Sequence, residues 1–176
     1  LEKNFMFDLI NKLFIFHWDK IVADSEYTQK EIVDKYHLDK IKITKIYAGL
    51  DNKFQVKPKK QELIKQYNLE NNKVLLFLGG LKYRKNIAFL IRLMALLKNN
   101  HLKLLICGSG DLRNKLESLS IRLGLADKVI FTGFVKEADK VDFYNLADIF
   151  LFPSIKEGFG MPAIEAAACG VPAIVS

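Results

Sequence analysis

Two cysteines, three histidines, four prolines and one tryptophan are all that a chain of 176 residues contains of those types. So few cysteines give no disulfide framework. Cys107, after the apolar Leu104–Ile106, and Cys169, after Ala166–Ala168, read as small buried residues. His17, His37 and His101 do not stand in ligand spacing to one another or to a cysteine, so no structural metal is expected. No Asp-x-Asp triplet occurs, which removes one common way of holding a divalent ion on a diphosphate. The longest apolar run, Val74–Leu81, is far short of the ~20 residues that cross a bilayer. No charged-then-apolar leader with a small-residue cleavage site opens the sequence. These absences together lead to the expectation of a soluble, cytoplasmic protein.

What is present is globular in character. Half of the residues are apolar and 27% are charged, which excludes disordered and collagen-like classes. The length suggests one domain, at most one and a fraction. The formal net charge is +7, and its excess is lopsided. Residues 1–100 hold 19 bases and 11 acids, whereas residues 101–176 hold 8 and 9. The densest basic run is Lys53, Lys57, Lys59, Lys60 and Lys65, opposed along the chain only by Glu62. A solvated basic surface is the plain reading, with peripheral contact to an anionic membrane or an anionic ligand as the alternative. A nucleic-acid partner is not expected, because no basic helix with interleaved aromatics and no zinc-finger spacing occurs.

From residue 73 onward, short apolar runs alternate with segments of helical period. Lys73–Leu78, Leu102–Ile106, Lys128–Phe131, Asp148–Phe152 and Ala173–Val175 read as strands buried on both faces. Asn86–Leu97, Asp111–Leu123, Glu137–Leu146 and Pro162–Ala168 read as helices, with Asp111 as an N-cap and Gly124 and Gly170 just past two helix ends. This alternation predicts an α/β fold, a Rossmann-like parallel sheet with helices on both faces, whose ligands sit at the carboxyl ends of strands. Before it, Leu1–Phe16 reads as a helix, Ile21–Ala23 and Ile41–Tyr47 as strands, and Thr28-x-x-Glu31 as a capping box. A boundary is expected near residues 50–57. Because Leu1 opens inside helical pattern and Ser176 follows directly on strand pattern, the chain is expected to be a fragment.

Two segments carry candidate chemistry. Glu157–Glu165 follows a strand and opens a helix: Pro162 suits the first helical position, Met161 before it is pushed out of the α region, and Gly158 and Gly160 allow close approach of backbone to a ligand. The free amides of that helix start form an anion site. Glu165, acceptor-only when ionised, suits a vicinal diol such as a ribose. On spacing alone, Glu157 can equally be a solvated loop acid and Glu165 a complement to the helix dipole. The second segment, Gly79–Asn86, places Arg84 and Lys85 after a strand, where they can clamp a diphosphate. Gly108-Ser109-Gly110 lacks the third glycine of a dinucleotide fingerprint and reads as a tight turn.

Glu157–Glu165 resembles the E-x7-E signature of the retaining GT-B glycosyltransferases of the group-one, or family-four, class. Val129–Ser176, which includes FTGFV and YNLADIFLFPSIKEGFGMPAIEAAACGVPAIVS, looks like the donor domain of that family almost throughout. Phe77–Asn86 is similar to its strand-loop segment ending in Arg-Lys-Asn, and Gly49–Asp51 resembles its Asn-Gly-Val-Asp turn between domains. The resemblance implies a partial GT-B fold: residues 1–50 ending an acceptor domain, 51–60 a linker, and 61–176 an incomplete donor domain. It implies transfer of a sugar from a nucleotide-diphosphate donor to an acceptor hydroxyl with retention, in assembly of a surface polysaccharide or glycolipid. The acceptor is then a saccharide or lipid-linked, and no tightly bound metal or other cofactor is expected.

By the same resemblance, Arg84 and Lys85 neutralise the donor diphosphate. Glu157, with the backbone of Gly158, Phe159, Gly160 and Met161, holds hydroxyls of the transferred sugar. Glu165 takes the ribose, and Gly133, Phe134 and Val135 line the base and ribose edge. Gly80 stands where many members have arginine, and the histidine of the family's acceptor domain is not carried onto His17 or His37. A non-catalytic nucleotide-binding module and a GT-B epimerase or phosphorylase are the rival readings.

Overall fold

Apolar runs with few polar interruptions become the strands of a parallel sheet. Ala173–Val175, expected to be buried on both faces, is instead an edge strand with all three residues exposed, since it has a described sheet neighbour on one side only. The computed structural model describes Ile15, residues 17–97 and residues 99–176. The predicted helix Leu1–Phe16 lies, apart from Ile15, outside the described residues. The chain divides into two units, Leu1–Gly49 and Leu50–Ser176.

In the first unit, β1 (Ile21–Ala23) and β2 (Ile43–Lys45) pair in parallel through α1 (Glu26–Tyr36). Ile15, Ile21, Ala23, Leu38 and Ile43 form its core. The helix starts three residues before the expected capping box: Ser25 is the N-cap, its Oγ accepting from Thr28 N at 3.0 Å. The strand expected over Ile41–Tyr47 shrinks to three residues. Asp39 accepts from Ile41 N at 3.0 Å and winds Lys40–Lys42 into a 3-10 turn instead.

The second unit holds a five-stranded sheet in the order β5 (Val129–Gly133), β4 (Leu102–Cys107), β3 (Lys73–Leu78), β6 (Ile149–Phe152), β7 (Ala173–Val175). Every neighbouring pair is parallel. Alternation along each strand divides the core in two. Val74, Leu76, Leu78, Leu105, Phe150 and Phe152 face one cluster with Val141, Tyr144 and Leu146 of α5 (Lys140–Leu146) and Ala166 of α6 (Met161–Ala168). Leu75, Phe77, Leu104, Ile106 and Leu151 face the other, against α3 (Ile87–Leu97) and Leu116 of α4 (Arg113–Arg122). The fold is therefore the predicted α/β sheet with helices on both faces. Truncating fully buried Phe77 to alanine would remove about 3–5 kcal/mol of this packing.

Four helix starts in this unit differ from expectation, α3 by one residue, at Ile87 rather than Asn86. α4 begins at Arg113 rather than Asp111 and has no side-chain cap; Gly110 O and Leu81 O hold its first turn, accepting from Arg113 N and Leu112 N. α5 begins at Lys140 rather than Glu137, after a turn in which Asp139 N donates to Lys136 O. Met161, not Pro162, is the first residue of α6, because Gly160 at φ 81° makes the turn into the helix.

A short helix, α2 (Gln61–Gln66), had no periodic signal; Leu63 and Ile64 lie against the core. Residues 51–60 carry neither helix nor strand but are tied to the second unit. Phe54 is buried, and Asn145 accepts from Lys57 N and donates to Gln55 O. The basic run is partly neutralised there: Lys53 pairs with Glu137, Lys59 with Asp148 and Lys60 with Asp142, at 3.1–3.4 Å. Read along the chain, those lysines faced no acid but Glu62; in space three of them face carboxylates. No described helix is long and apolar enough to cross a membrane.

Candidate functional site

The strand order places a crevice where the topology reverses. After β3 the chain adds β4 and β5 on one side, then returns to set β6 on the other side of β3. The loops leaving the carboxyl ends of β3 and β6 thus diverge to opposite faces and open a gap between them.

The loop after β3 winds into a 3-10 turn over Tyr83–Lys85, ended by Asn86 at φ 52°. The loop after β6 runs to Gly160. Ile155 N donates to Arg84 O at 2.8 Å, which joins the two loops at the crevice. Across that join, Arg84 Nη1 donates to Glu157 Oε1 at 2.6 Å and to Lys156 O at 3.1 Å. Lys85 Nζ donates to the same Glu157 oxygen. Its side chain is 9% exposed and lies over the Phe152 ring, 4.5 Å from the centroid, so an aromatic face and a carboxylate hold the ammonium out of water. The Arg84 side chain is half exposed.

Burial alone would raise the Glu157 carboxyl, but the hydrogen bonds from Lys85 and then Arg84 outweigh it and hold the group below its ordinary value of 4.5. The stability this adds is present above that value and is lost as pH falls through the lowered one. Melting temperatures of wild type and Glu157→Gln are therefore expected to differ at about pH 6 and to converge as pH falls below 4.5 and through the lowered value. A constant gap over that range would mean that the ion pair contributes nothing.

A second group of residues lies at the carboxyl ends of β3, β4 and β5. Gly79 N donates to Cys107 O at 2.9 Å, and Gly108 N to Gly133 O at 2.7 Å, so the three strand ends are stitched edge to edge. Gly108, in the segment read as a tight turn, is a close crossing of two loops: a Cβ there would sit 1.9 Å from Gly79 O. Beyond these ends opens a cleft of about 250 Å³, lined by Gly80, Gly108, Phe134, Val135, Lys140 and Pro162 among others. Phe134 is exposed and Val135 buried; Gly133, at φ 82°, turns the chain between strand and cleft. A hollow of about 330 Å³ shares Phe134 and Val135 with it, and neither of the two is lined by Arg84, Lys85, Glu157 or Glu165.

Glu165, in α6, is only 7% exposed. Its Oε2 accepts from the Tyr144 hydroxyl at 2.6 Å, and its Oε1 lies 3.9 Å from Lys140 Nζ. Lys140 itself pairs with Glu137 at 2.6 Å. Burial, then the neighbouring Glu165 carboxylate, pushes the Tyr144 hydroxyl well above the usual tyrosine range, so it remains a donor.

The structure thus brings Arg84, Lys85 and Glu157 into direct contact, and sets Phe134 and Val135 on the cleft with Gly133 at its edge. Glu165 makes no hydrogen bond or ion pair with that triad. Gly158 and Phe159 form the bend before α6, and Gly160 caps it. Tyr144, Lys140 and Phe152 were not singled out from sequence. The only signal was periodicity: Lys140 and Tyr144 stand one helical turn apart on a segment already read as a helix.

Comparison with known proteins places this geometry. The family described as Glycosyl transferases group 1 matches residues 59–176. An uncharacterized glycosyltransferase of Methanocaldococcus jannaschii is 35% identical over 163 residues, covering 89% of this chain and 42% of that protein. The O-antigen chain mannosyltransferase RfbU of Salmonella typhimurium is 32% identical over 158 residues, with the same shares of 89% and 42%. Among solved structures, that of Anabaena HepE in complex with UDP and glucose superimposes with a TM-score of 0.81 at 23% identity, a likeness of fold. It covers 89% of this chain and 44% of that one. The chain spans less than half the length of each of these proteins.

Proposed function

The chain belongs to the group 1 glycosyl transferases, and we propose that it supplies the donor side of an enzyme that moves a sugar, with retention, from a nucleotide-diphosphate sugar to an acceptor hydroxyl. The observation that carries this is the convergence of Arg84, Lys85 and Glu157 at the crevice between β3 and β6. Two cations at a strand's carboxyl end, one on a buried side chain and one on a half-exposed side chain, suit a diphosphate whose negative charge grows as it departs.

In this reading the bond between the anomeric carbon and the diphosphate oxygen breaks, and its electron pair leaves with the diphosphate. The acceptor hydroxyl then bonds to that carbon and gives up its proton to the departing phosphate. Arg84 and Lys85 stabilise the leaving group without a metal. Glu157 and the backbone of Gly158–Met161 orient the sugar, Glu165 binds the ribose, and Gly133–Val135 border the base. The work is positioning and electrostatics. Residues 1–50 belong in this proposal to the acceptor side, with a saccharide or lipid-linked acceptor. A surface polysaccharide or glycolipid as product is supported by the O-antigen relative. The setting is cytoplasmic, with peripheral membrane contact resting only on the basic bias; sedimentation with anionic liposomes tests it.

Incubation with a panel of nucleotide sugars tests the activity itself. Transfer or donor hydrolysis, undiminished by a chelator, is expected from at least one donor; nucleotide binding without either would favour a binding module. Lys85→Ala is expected to weaken nucleoside diphosphate affinity about tenfold or more by calorimetry, since a charge-assisted contact contributes roughly 1.5–3 kcal/mol. Unchanged affinity would remove the phosphate-clamp role.

A further inference from the structure

We infer that Tyr144 is a positioning residue for ribose recognition: its buried hydroxyl clamps Oε2 of Glu165 and thereby presents Oε1 toward the cleft. This rests on the proposed role of Glu165 as the group that takes the nucleotide ribose.

Tyr144 is fully buried in α5, and its hydroxyl donates to Glu165 Oε2 at 2.6 Å across to α6. Its ring is locked edge-on against Phe54 at 5.9 Å and Phe150 at 5.5 Å. The hydroxyl is thus aimed by the packing of three aromatic rings rather than by a free rotor. Glu165 Oε1 accepts no hydrogen bond among the described residues. The nearest cation is Lys140, 3.9 Å away, which itself borders the cleft. One carboxylate oxygen is therefore held by the Tyr144 hydroxyl, while the other faces Lys140, which borders the cleft.

A carboxylate that recognises two adjacent hydroxyls must have its plane fixed. A glutamate with three rotatable bonds loses that orientation freely unless something outside its own helix holds it. Tyr144 provides that hold from the core. Burial and the Glu165 carboxylate push the Tyr144 hydroxyl well above the usual tyrosine range, so it stays a donor.

The test compares each nucleoside diphosphate of uridine, guanosine and adenosine with its 2′,3′-dideoxy form by calorimetry, in wild type, Tyr144→Phe and Glu165→Gln. Wild type is expected to prefer the diol form of the nucleotide that binds best. Tyr144→Phe, which keeps the ring contacts, is expected to lower that preference about tenfold while affinity for the dideoxy form stays unchanged. A purely structural role would weaken both forms alike, so an unaltered ratio in Tyr144→Phe with lost preference in Glu165→Gln overturns the positioning role and keeps the ribose assignment. Absence of any diol preference in wild type overturns both. Should Tyr144→Phe melt below the assay temperature, wild type and variant are compared at a temperature below the variant's melting point; a diol preference there equal to that of wild type overturns the clamp.

Discussion

Glu157→Ala is expected to reduce sugar transfer about a hundredfold or more while leaving nucleoside diphosphate affinity unchanged or tighter. One oxygen of Glu157 accepts from both Arg84 and Lys85. In the proposed function a diphosphate takes the same two cations, so the carboxylate would compete with the product for them even as it orients the sugar. Removing it frees two positive charges, one of them shielded from water over Phe152. Binding of diphosphate and transfer of sugar should thus move in opposite directions in a single variant. Calorimetry with nucleoside diphosphates and product formation from the preferred donor measure the two. A diphosphate affinity that fell along with transfer would mean that Glu157 holds the cations in place rather than competing for them.

Gly108→Ala is expected to lower the melting temperature by roughly 6–12 °C, which corresponds to a cost of about 3 kcal/mol. The added Cβ would lie 1.9 Å from the carbonyl oxygen of Gly79 and 2.9 Å from its carbon, and backbone cannot give way as a flexible side chain does. To accommodate it, the loops after β3 and β4 must part. That movement breaks the hydrogen bonds from Gly79 to Cys107 and from Gly108 to Gly133 and widens the cleft floor. Gly124→Ala is the control. It too has a positive φ, 68°, but nothing lies within 4 Å of its Cβ position, so only local strain of about 1 kcal/mol is expected. Equal melting temperatures for the two variants would refute the close crossing.

The reach of the sequence differs between local and distant features. Strands β3 and β7 coincide with the ranges predicted for them, and β4, β5 and β6 agree to within two residues at each end. For β3 and β4 a continuous apolar run is what burial on both faces requires, whereas β7 is an exposed edge strand whose burial the same kind of run overstated. Helix starts were less legible. Asp111 and Thr28 are good capping residues by type, yet the first turns are held by Gly110 and Leu81 carbonyls in one case and by Ser25 in the other. Which oxygen reaches an amide first depends on the path of the preceding loop, which no local pattern encodes.

Pairings across long separations lay further out of reach. Lys85 and Glu157 are 72 residues apart, and Tyr144 and Glu165 are 21 apart on different helices. Composition and motif spacing identified Arg84, Lys85, Glu157 and Glu165 as separate candidates. Spacing could not tell that the first three meet at one carboxylate oxygen while the fourth is held by a tyrosine. The lysines of residues 53–60 show the same limit: their partners Glu137, Asp142 and Asp148 come from the far end of the unit.

The sequence by itself determined the class of fold, the alternation of elements from residue 73 onward and the residue types available for an anionic, hydroxyl-rich ligand. Hydrophobic periodicity and glycine placement act within a few residues and can be read in order along the chain. The tertiary structure alone decided that the strand after α5 returns beside β3, which opens the crevice. It also decided that Gly108 is a point of backbone contact and that Tyr144 orients Glu165. Those features depend on which surfaces pack once the chain has closed on itself, and packing joins residues by distance in space rather than by position in the sequence.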